Sequence, residues 1–131
     1  MKKTKLKIFS DDTGSLIPIS LKKDIPFKTK RIFIIHGKKN RIRADHAHYK
    51  CSQFLIPLYG TIIVDYISKK GKFKKTLSLK KNNTLLLEQM TWCKIKFLTD
   101  NSKLMVFCDM EYDASDYIRK YTNFLTLIKK K

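Results

Sequence analysis

Residues 43–60 read Arg43-Ala44-Asp45-His46-Ala47-His48-Tyr49-Lys50-Cys51-Ser52-Gln53-Phe54-Leu55-Ile56-Pro57-Leu58-Tyr59-Gly60. Two of the chain's three histidines stand one residue apart, shortly before the hydrophobic run Phe54 to Leu58, which reads as a strand. If the triplet is itself on a strand, the two-residue alternation puts His46 and His48 on one face. Imidazole carries protons near neutral pH and is also a common metal ligand. The pair is therefore a metal site, a proton-transfer site, or neither.

Short hydrophobic runs continue on both sides of this stretch. Strands are expected at 6–9, 16–19, 31–36, 53–58, 61–67, 73–79, 84–87, 94–98 and 104–108. Breakers such as Asp12-Thr13-Gly14, Gly37-Lys38-Lys39-Asn40, Tyr59-Gly60 and Lys81-Asn82-Asn83 separate them. Many short strands at regular spacing predict an all-β antiparallel sandwich or barrel. The end of the chain differs. Ser115 reads as an N-cap, and a helical pattern runs from Asp116 through Ile128. The chain of 131 residues, 43% hydrophobic, is read as one domain over residues 1–131.

Lysine and arginine outnumber aspartate and glutamate 29 to 11, a formal net charge of +18. Nucleic acid is nevertheless not the favoured partner, because the lysines are scattered over termini and turns. Nor do aromatics interleave with them as stacking on bases would require. A positive field that attracts a diphosphate fits better. No apolar stretch approaches the ~20 residues of a membrane span. Met1-Lys2-Lys3 is followed by no signal-peptide core, so the protein is read as cytoplasmic. Cys51, Cys93 and Cys108 are odd in number and widely spaced, which suits a reducing compartment and no disulfide framework.

The spacing around the triplet resembles the first motif of the cupins: HxH, then a Glu or Gln, then a Gly at the next turn. Here these are His46, His48, Gln53 and Gly60. The resemblance implies a double-stranded β-helix, a small jelly-roll barrel, with a short C-terminal helix. Metal-binding cupins add an acid from this motif and a third histidine from a second one. Here Ser52 and Gln53 stand where the acid belongs, and Cys93 follows Trp92 in the second region. Two imidazoles, an amide and a thiol make a poor divalent-metal site, so no metal and no other cofactor is expected. Acid–base chemistry remains.

A wider pattern is more specific. Ile25-Pro26-Phe27, Lys30-Arg31-Ile32-Phe33 and Arg43-Ala44-Asp45-His46-Ala47-His48 resemble the opening of the nucleotide-linked sugar 3,4-ketoisomerases. Tyr112-Asp113-Ala114-Ser115-Asp116-Tyr117-Ile118-Arg119-Lys120-Tyr121 resembles that family's C-terminal signature. The resemblance implies a metal-independent homodimeric enzyme acting on dTDP-4-dehydro-6-deoxyglucose. Its 3-keto product would pass to a pyridoxal-phosphate aminotransferase. By position His48 is the expected carbon-acid base and His46 the oxygen shuttle or its support, an assignment that the two could exchange. Arg31 and Arg43 are the expected diphosphate ligands, with Arg41 beside them, and Gln53 the partner of a sugar hydroxyl. Trp92 is read as packing on the sugar or in the core. The signature segment is expected to dock the C-terminal helix or a dimer partner.

Some positions depart from the family pattern. Thr13, in Asp11-Asp12-Thr13-Gly14, replaces a larger side chain; Phe33 replaces a common tyrosine; Ala44 replaces a glycine; Cys93 replaces a His or Arg. The resemblance implies that Thr13, Phe33 and Cys93 line the sugar pocket, where positions 13 and 93 bear on which face of C4 is reprotonated. Two rival readings stay open: a nucleotide-sugar-binding cupin without turnover, and a basic nucleic-acid-binding barrel.

Overall fold

The computed structural model describes residues 5–129; the expected signal-like start and the last two lysines lie outside that span. Among the described residues the strands are β1 (Phe9–Asp11), β2 (Gly14–Leu16), β3 (Arg31–Gly37), β4 (Ile42–His48), β5 (Gln53–Tyr59), β6 (Thr61–Ser68), β7 (Gly71–Ser78), β8 (Leu85–Leu87), β9 (Trp92–Phe97), β10 (Ser102–Cys108) and β11 (Tyr117–Ile118). Two helices, α1 (Leu21–Asp24) and α2 (Tyr121–Lys129), complete them. One sheet has the order β3-β10-β5-β8 and a second the order β11-β4-β9-β6-β7. All the pairings are antiparallel.

The alternation of each strand sorts its side chains into layers. Leu55, Val106 and Leu104 from the first sheet meet Ile62, Val64, Ile95 and Phe97 from the second, all buried. The outer face of the first sheet, with Phe54, Ile56 and Phe107, is covered by Leu6 and Ile25 and by half-buried Ile17, Ile19 and Phe27. The outer face of the second is covered by α2, whose Phe124 packs with Ala47, Trp92 and Ile118. Strand β5 is thus buried on both faces from Gln53 to Pro57, so its sequence reads as an unbroken apolar run. Two-sheet architecture and the C-terminal helix agree with the expected jelly-roll.

Strand β4, which carries the histidines, lies outside the apolar runs from which strands were expected, and the two ends of the chain differ further. The strand expected at 6–9 begins only at Phe9, and that expected at 16–19 ends at Leu16. Leu6, Ile17 and Ile19 are apolar because they cover the first sheet. The helix expected from Ser115 begins at Tyr121. Asp113 instead caps a 3₁₀ turn over Ala114–Asp116, with Ser115 donating to it. Residues Tyr117 and Ile118 then pair with His48 and Ala47 as an edge strand. Local capping signals favoured a helix there, and sheet pairing won.

Candidate active site

Strand β4 carries the decisive irregularity. Ile42, Arg43 and Ala44 pair with Lys96, Ile95 and Lys94 on β9, then the register shifts and His46 pairs with Cys93. The extra residue is a β-bulge at Asp45, with φ of 70° at Ala44 and 61° at Asp45. Its effect is to reset the alternation. Arg43 and His46 are three apart, yet both line one cavity of about 430 Å³ between the sheets, with Phe33, Gln53 and Tyr117. Asp45 serves the outer layer, accepting a hydrogen bond of 3.1 Å from the Trp92 indole. Trp92 packs on Tyr121 and Phe124, so it belongs to the core beneath α2 rather than to the cavity.

The two imidazoles lie side by side, 5.1 Å between centroids and nearly perpendicular. His46 Nδ1 is 3.1 Å from the Ala44 carbonyl oxygen. His48 Nδ1 is 3.2 Å from Asp116 Oδ2. The Ala44 carbonyl oxygen and the Asp116 carboxylate oxygen serve as acceptors, so both Nδ1 atoms carry the proton in the neutral rings, and each Nε2 is a lone pair. Burial, and then the neighbouring His48, hold His46 down at about 4. Burial also lowers His48, against the pull of Asp116. Both rings are therefore neutral bases at ordinary pH.

Asp116 is the residue the sequence reading passed over. It is buried, and its carboxylate also accepts the backbone N–H groups of Lys50 at 2.8 Å and Cys51 at 3.1 Å. It thereby fixes both His48 and the turn leaving β4. The next residue, Tyr117, packs its ring 4.3 Å from His48 and 4.9 Å from His46 between centroids. The Arg119 guanidinium lies over that ring at 4.3 Å. The signature segment is thus part of the site as well as a support for α2. Its density of polar and aromatic residues was the available signal.

The remaining expected residues are distributed unevenly. Phe33, Arg43, His46 and Gln53 line the cavity. Arg31 is half-buried and is not among the residues lining that cavity; it lies 3.5 Å from Cys108 Sγ, with its guanidinium against the Phe33 and Tyr112 rings. Gln53 donates to the same sulfur at 3.8 Å. Cys108 is therefore a sulfur acceptor, and donation by Cys51 followed by the charge of Arg31 lowers its pKa. Cys93 is buried beside His46 in the ladder, and burial pushes its thiol up to about 12. It keeps its proton and is not among the residues lining the cavity. Thr13 is not brought to the cavity in the single chain. It sits exposed at the tip of the β1–β2 hairpin, bonded to Asp11.

His48, Cys51 and Asp116 place ligating atoms within 4.8 Å of one another. The set does not suit a resident cation. Cys51 has its thiol pKa raised, first by its bond to Cys108 and then by burial. The positive charges of Arg31 and Arg119 also act on His48.

Comparison with known proteins agrees with the geometry. The family described as FdtA: WxcM-like, C-terminal, matches residues 1–129. A TDP-4-oxo-6-deoxy-alpha-D-glucose-3,4-oxoisomerase of Aneurinibacillus thermoaerophilus is 34% identical over 122 residues, 92% of this chain and 86% of that protein. The sugar 3,4-ketoisomerase QdtA of Thermoanaerobacterium thermosaccharolyticum, solved with TDP, superposes with a TM-score of 0.86 at 30% identity, covering 98% of this chain and 93% of its own. The TDP-quinovose 3,4-ketoisomerase WlaRB of Campylobacter jejuni superposes at 0.83 with 32% identity, covering 95% and 96%. This chain belongs to the FdtA family (WxcM-like, C-terminal), and its similar relatives are cupin-like sugar 3,4-ketoisomerases.

Proposed function

We propose that this protein is a sugar-nucleotide 3,4-ketoisomerase that converts dTDP-4-dehydro-6-deoxyglucose to a dTDP-3-dehydro-6-deoxyhexose. The observation that carries the reading is a pair of adjoining neutral imidazoles, His46 on the cavity wall and His48 packed beside it, on a chain 34% identical to an oxoisomerase of that sugar. A ketone acidifies the neighbouring C–H bond. Moving the ketone from C4 to C3 requires a base that takes the C3 proton and returns one to C4. His48 is assigned that task. Asp116 holds its Nδ1–H and leaves the buried Nε2 lone pair without a partner in the protein, and the carboxylate stabilises the imidazolium that forms. His46 supports the same wall of the site. The cavity needs no metal and no organic cofactor for this exchange.

Arg43 on the cavity wall is assigned to the diphosphate, with Arg31 deeper and Gln53 on a sugar hydroxyl. Phe33 packs against the sugar. The protein acts as a single domain in the cytoplasm, where three free cysteines stay reduced. Among the described residues, no helix is long and apolar enough to cross a membrane. Its product suits a pyridoxal-phosphate aminotransferase, since a 3-ketone is what such an enzyme aminates. The working unit is a homodimer. Edge strand β3 exposes Ile32 and Ile34, and the β1–β2 hairpin exposes Phe9 and Leu16, apolar surface that a second copy would cover. Light scattering at twice 15.5 kDa is expected, and a monomer mass would remove the dimer.

Incubation with dTDP-4-dehydro-6-deoxyglucose in heavy water, followed by NMR, tests the activity. The expected result is movement of the carbonyl to C3 with deuterium entering at C4. Tight dTDP-sugar binding without turnover would leave a non-catalytic binding protein instead.

A further inference from the structure

Cys108 is the last residue of β10, the strand that lies between β3 and β5, and it stands opposite a proposed binding residue on each side. Its partner across the β3 ladder is Arg31, and its partner across the β5 ladder is Gln53. Residues directly opposite in a ladder put their side chains on one face, so the three form a single row. Arg31 Nη2 donates to Cys108 Sγ at 3.5 Å, and Gln53 Nε2 donates to it at 3.8 Å. The side chains assigned to the diphosphate and to a sugar hydroxyl therefore share one sulfur. Gln53 lines the cavity, while Arg31 Nε is a buried donor with no partner among the described residues. Such a donor suits a phosphate oxygen.

A neutral thiol is a weak acceptor and a thiolate a strong one. The titratable groups that face this sulfur are Arg31 from β3 and Cys51 from the turn between β4 and β5, with Asp109 acting on Cys51. Donation by Cys51 comes first; then, against the cost of burial, the charge and hydrogen bond of Arg31 hold Cys108 below the ordinary thiol range. Cys51 moves up in return and keeps its proton. Burial disfavours the Arg31 charge as well, and its neighbours, Cys108 foremost, hold it above its ordinary value. The sulfur is itself buried among Leu55, Leu104 and Val106, where an unpaired charge would be costly.

We infer that Cys108 is a positioning residue: its sulfur anchors Arg31 and Gln53 together and fixes the spacing between the groups assigned to the diphosphate and the sugar. This rests on the nucleotide-sugar reading above and adds the device that orients its two binding groups. Cys108 acts through those two side chains rather than on the substrate.

Calorimetry with dTDP-glucose on the full chain tests the anchor. Cys108→Ala should weaken binding about tenfold, and Cys108→Ser, which keeps a neutral acceptor, should weaken it less. With Arg31→Ala already in place, Cys108→Ala should cost less than about threefold more, because the group it acts through is gone. The ultraviolet thiolate band of the unmodified chain, less that of Cys108→Ser, should titrate well below about 8.5, the ordinary thiol midpoint. Absence of that band at neutral pH would overturn the inference, and this measurement needs no alanine variant to fold. So would binding by Cys108→Ala within about threefold of the unmodified chain, or equal losses with and without Arg31, the mark of a structural role. Failure of the unmodified chain to bind dTDP-glucose would overturn the anchor and the nucleotide-sugar reading together. Binding without turnover in the NMR assay would remove the ketoisomerase reading alone and leave the anchor standing.

Discussion

The His48 imidazole and the Asp116 carboxylate are 68 residues apart in sequence and 3.2 Å apart in the fold. The contact depends on β11 returning to pair with β4, which places the residue before Tyr117 under the histidine strand. It unites the HxH motif and the C-terminal signature in one hydrogen bond.

Replacing Asp116 by Asn tests that bond directly. The amide oxygen, in place of Oδ1, still accepts the Lys50 N–H, and the NH₂, in place of Oδ2, faces His48 Nδ1 and the Cys51 N–H. A donor there moves the ring proton to Nε2 and abolishes the base. Turnover should fall about 10²–10⁴-fold with little change in KM. Stability should fall by about 1–3 kcal/mol, since a buried acceptor is lost. Steady-state kinetics and urea unfolding report the two effects separately, and full turnover in this variant would contradict the positioning role.

His48→Asn should reduce turnover by about 10³-fold while dTDP affinity, read by calorimetry, stays within a few fold. Dialysis against a chelator should leave the unmodified enzyme's rate unchanged. Inhibition by the chelator would return a metal to the His48, Cys51 and Asp116 cluster.

The pH dependence follows from the imidazoles. Both have folded-state values below 6.5, with His46 at about 4. The bases stay unprotonated as pH falls through 6.5, so the acid limb of kcat/KM should lie below the ordinary imidazole range. Stability moves oppositely in that window. Below 6.5 the unfolded chain binds protons that the folded chain refuses, so the urea midpoint should fall from pH 6.5 toward 4. An acid limb at 6.5 would contradict the burial of these rings.

Ala44 occupies a left-handed conformation, φ 70°, that carries a cost for any residue with a Cβ. Ala44→Gly should therefore stabilise the fold by about 1 kcal/mol, raising Tm by about 4 °C, and should not lower turnover. Thermal unfolding checks the sign. The glycine of the resembled Arg-Gly pattern has the same physical reason.

The two-sheet architecture was legible because nearly every strand carries its own alternation or apolar run between breakers. The same-face histidines were legible for that reason too, and Gln53 and Arg43 followed from the resemblance. Asp116 and Tyr117 were not. Ser115 and Asp116 look like the opening of a helix, and nothing local reveals that β11 will dock on β4. Arg31 was singled out by the resemblance, while Cys108 and Tyr112, which help to hold it, lie far along the chain. Thr13 was expected at the pocket from resemblance alone, and the hairpin that carries it is exposed on both strands.

The bulge at Asp45 separates what the chain must count from what it must spell. Many side chains at position 45 would leave the cavity intact, because that residue faces the outer layer. Its removal would not be tolerated in the same way. Losing one residue would put β4 back in phase, and Arg43 would leave the wall it shares with His46. The arginine proposed to anchor the nucleotide and the histidine proposed to serve proton transfer would then occupy opposite sides of one sheet. In this protein the number of residues between arginine and histidine is itself a functional element.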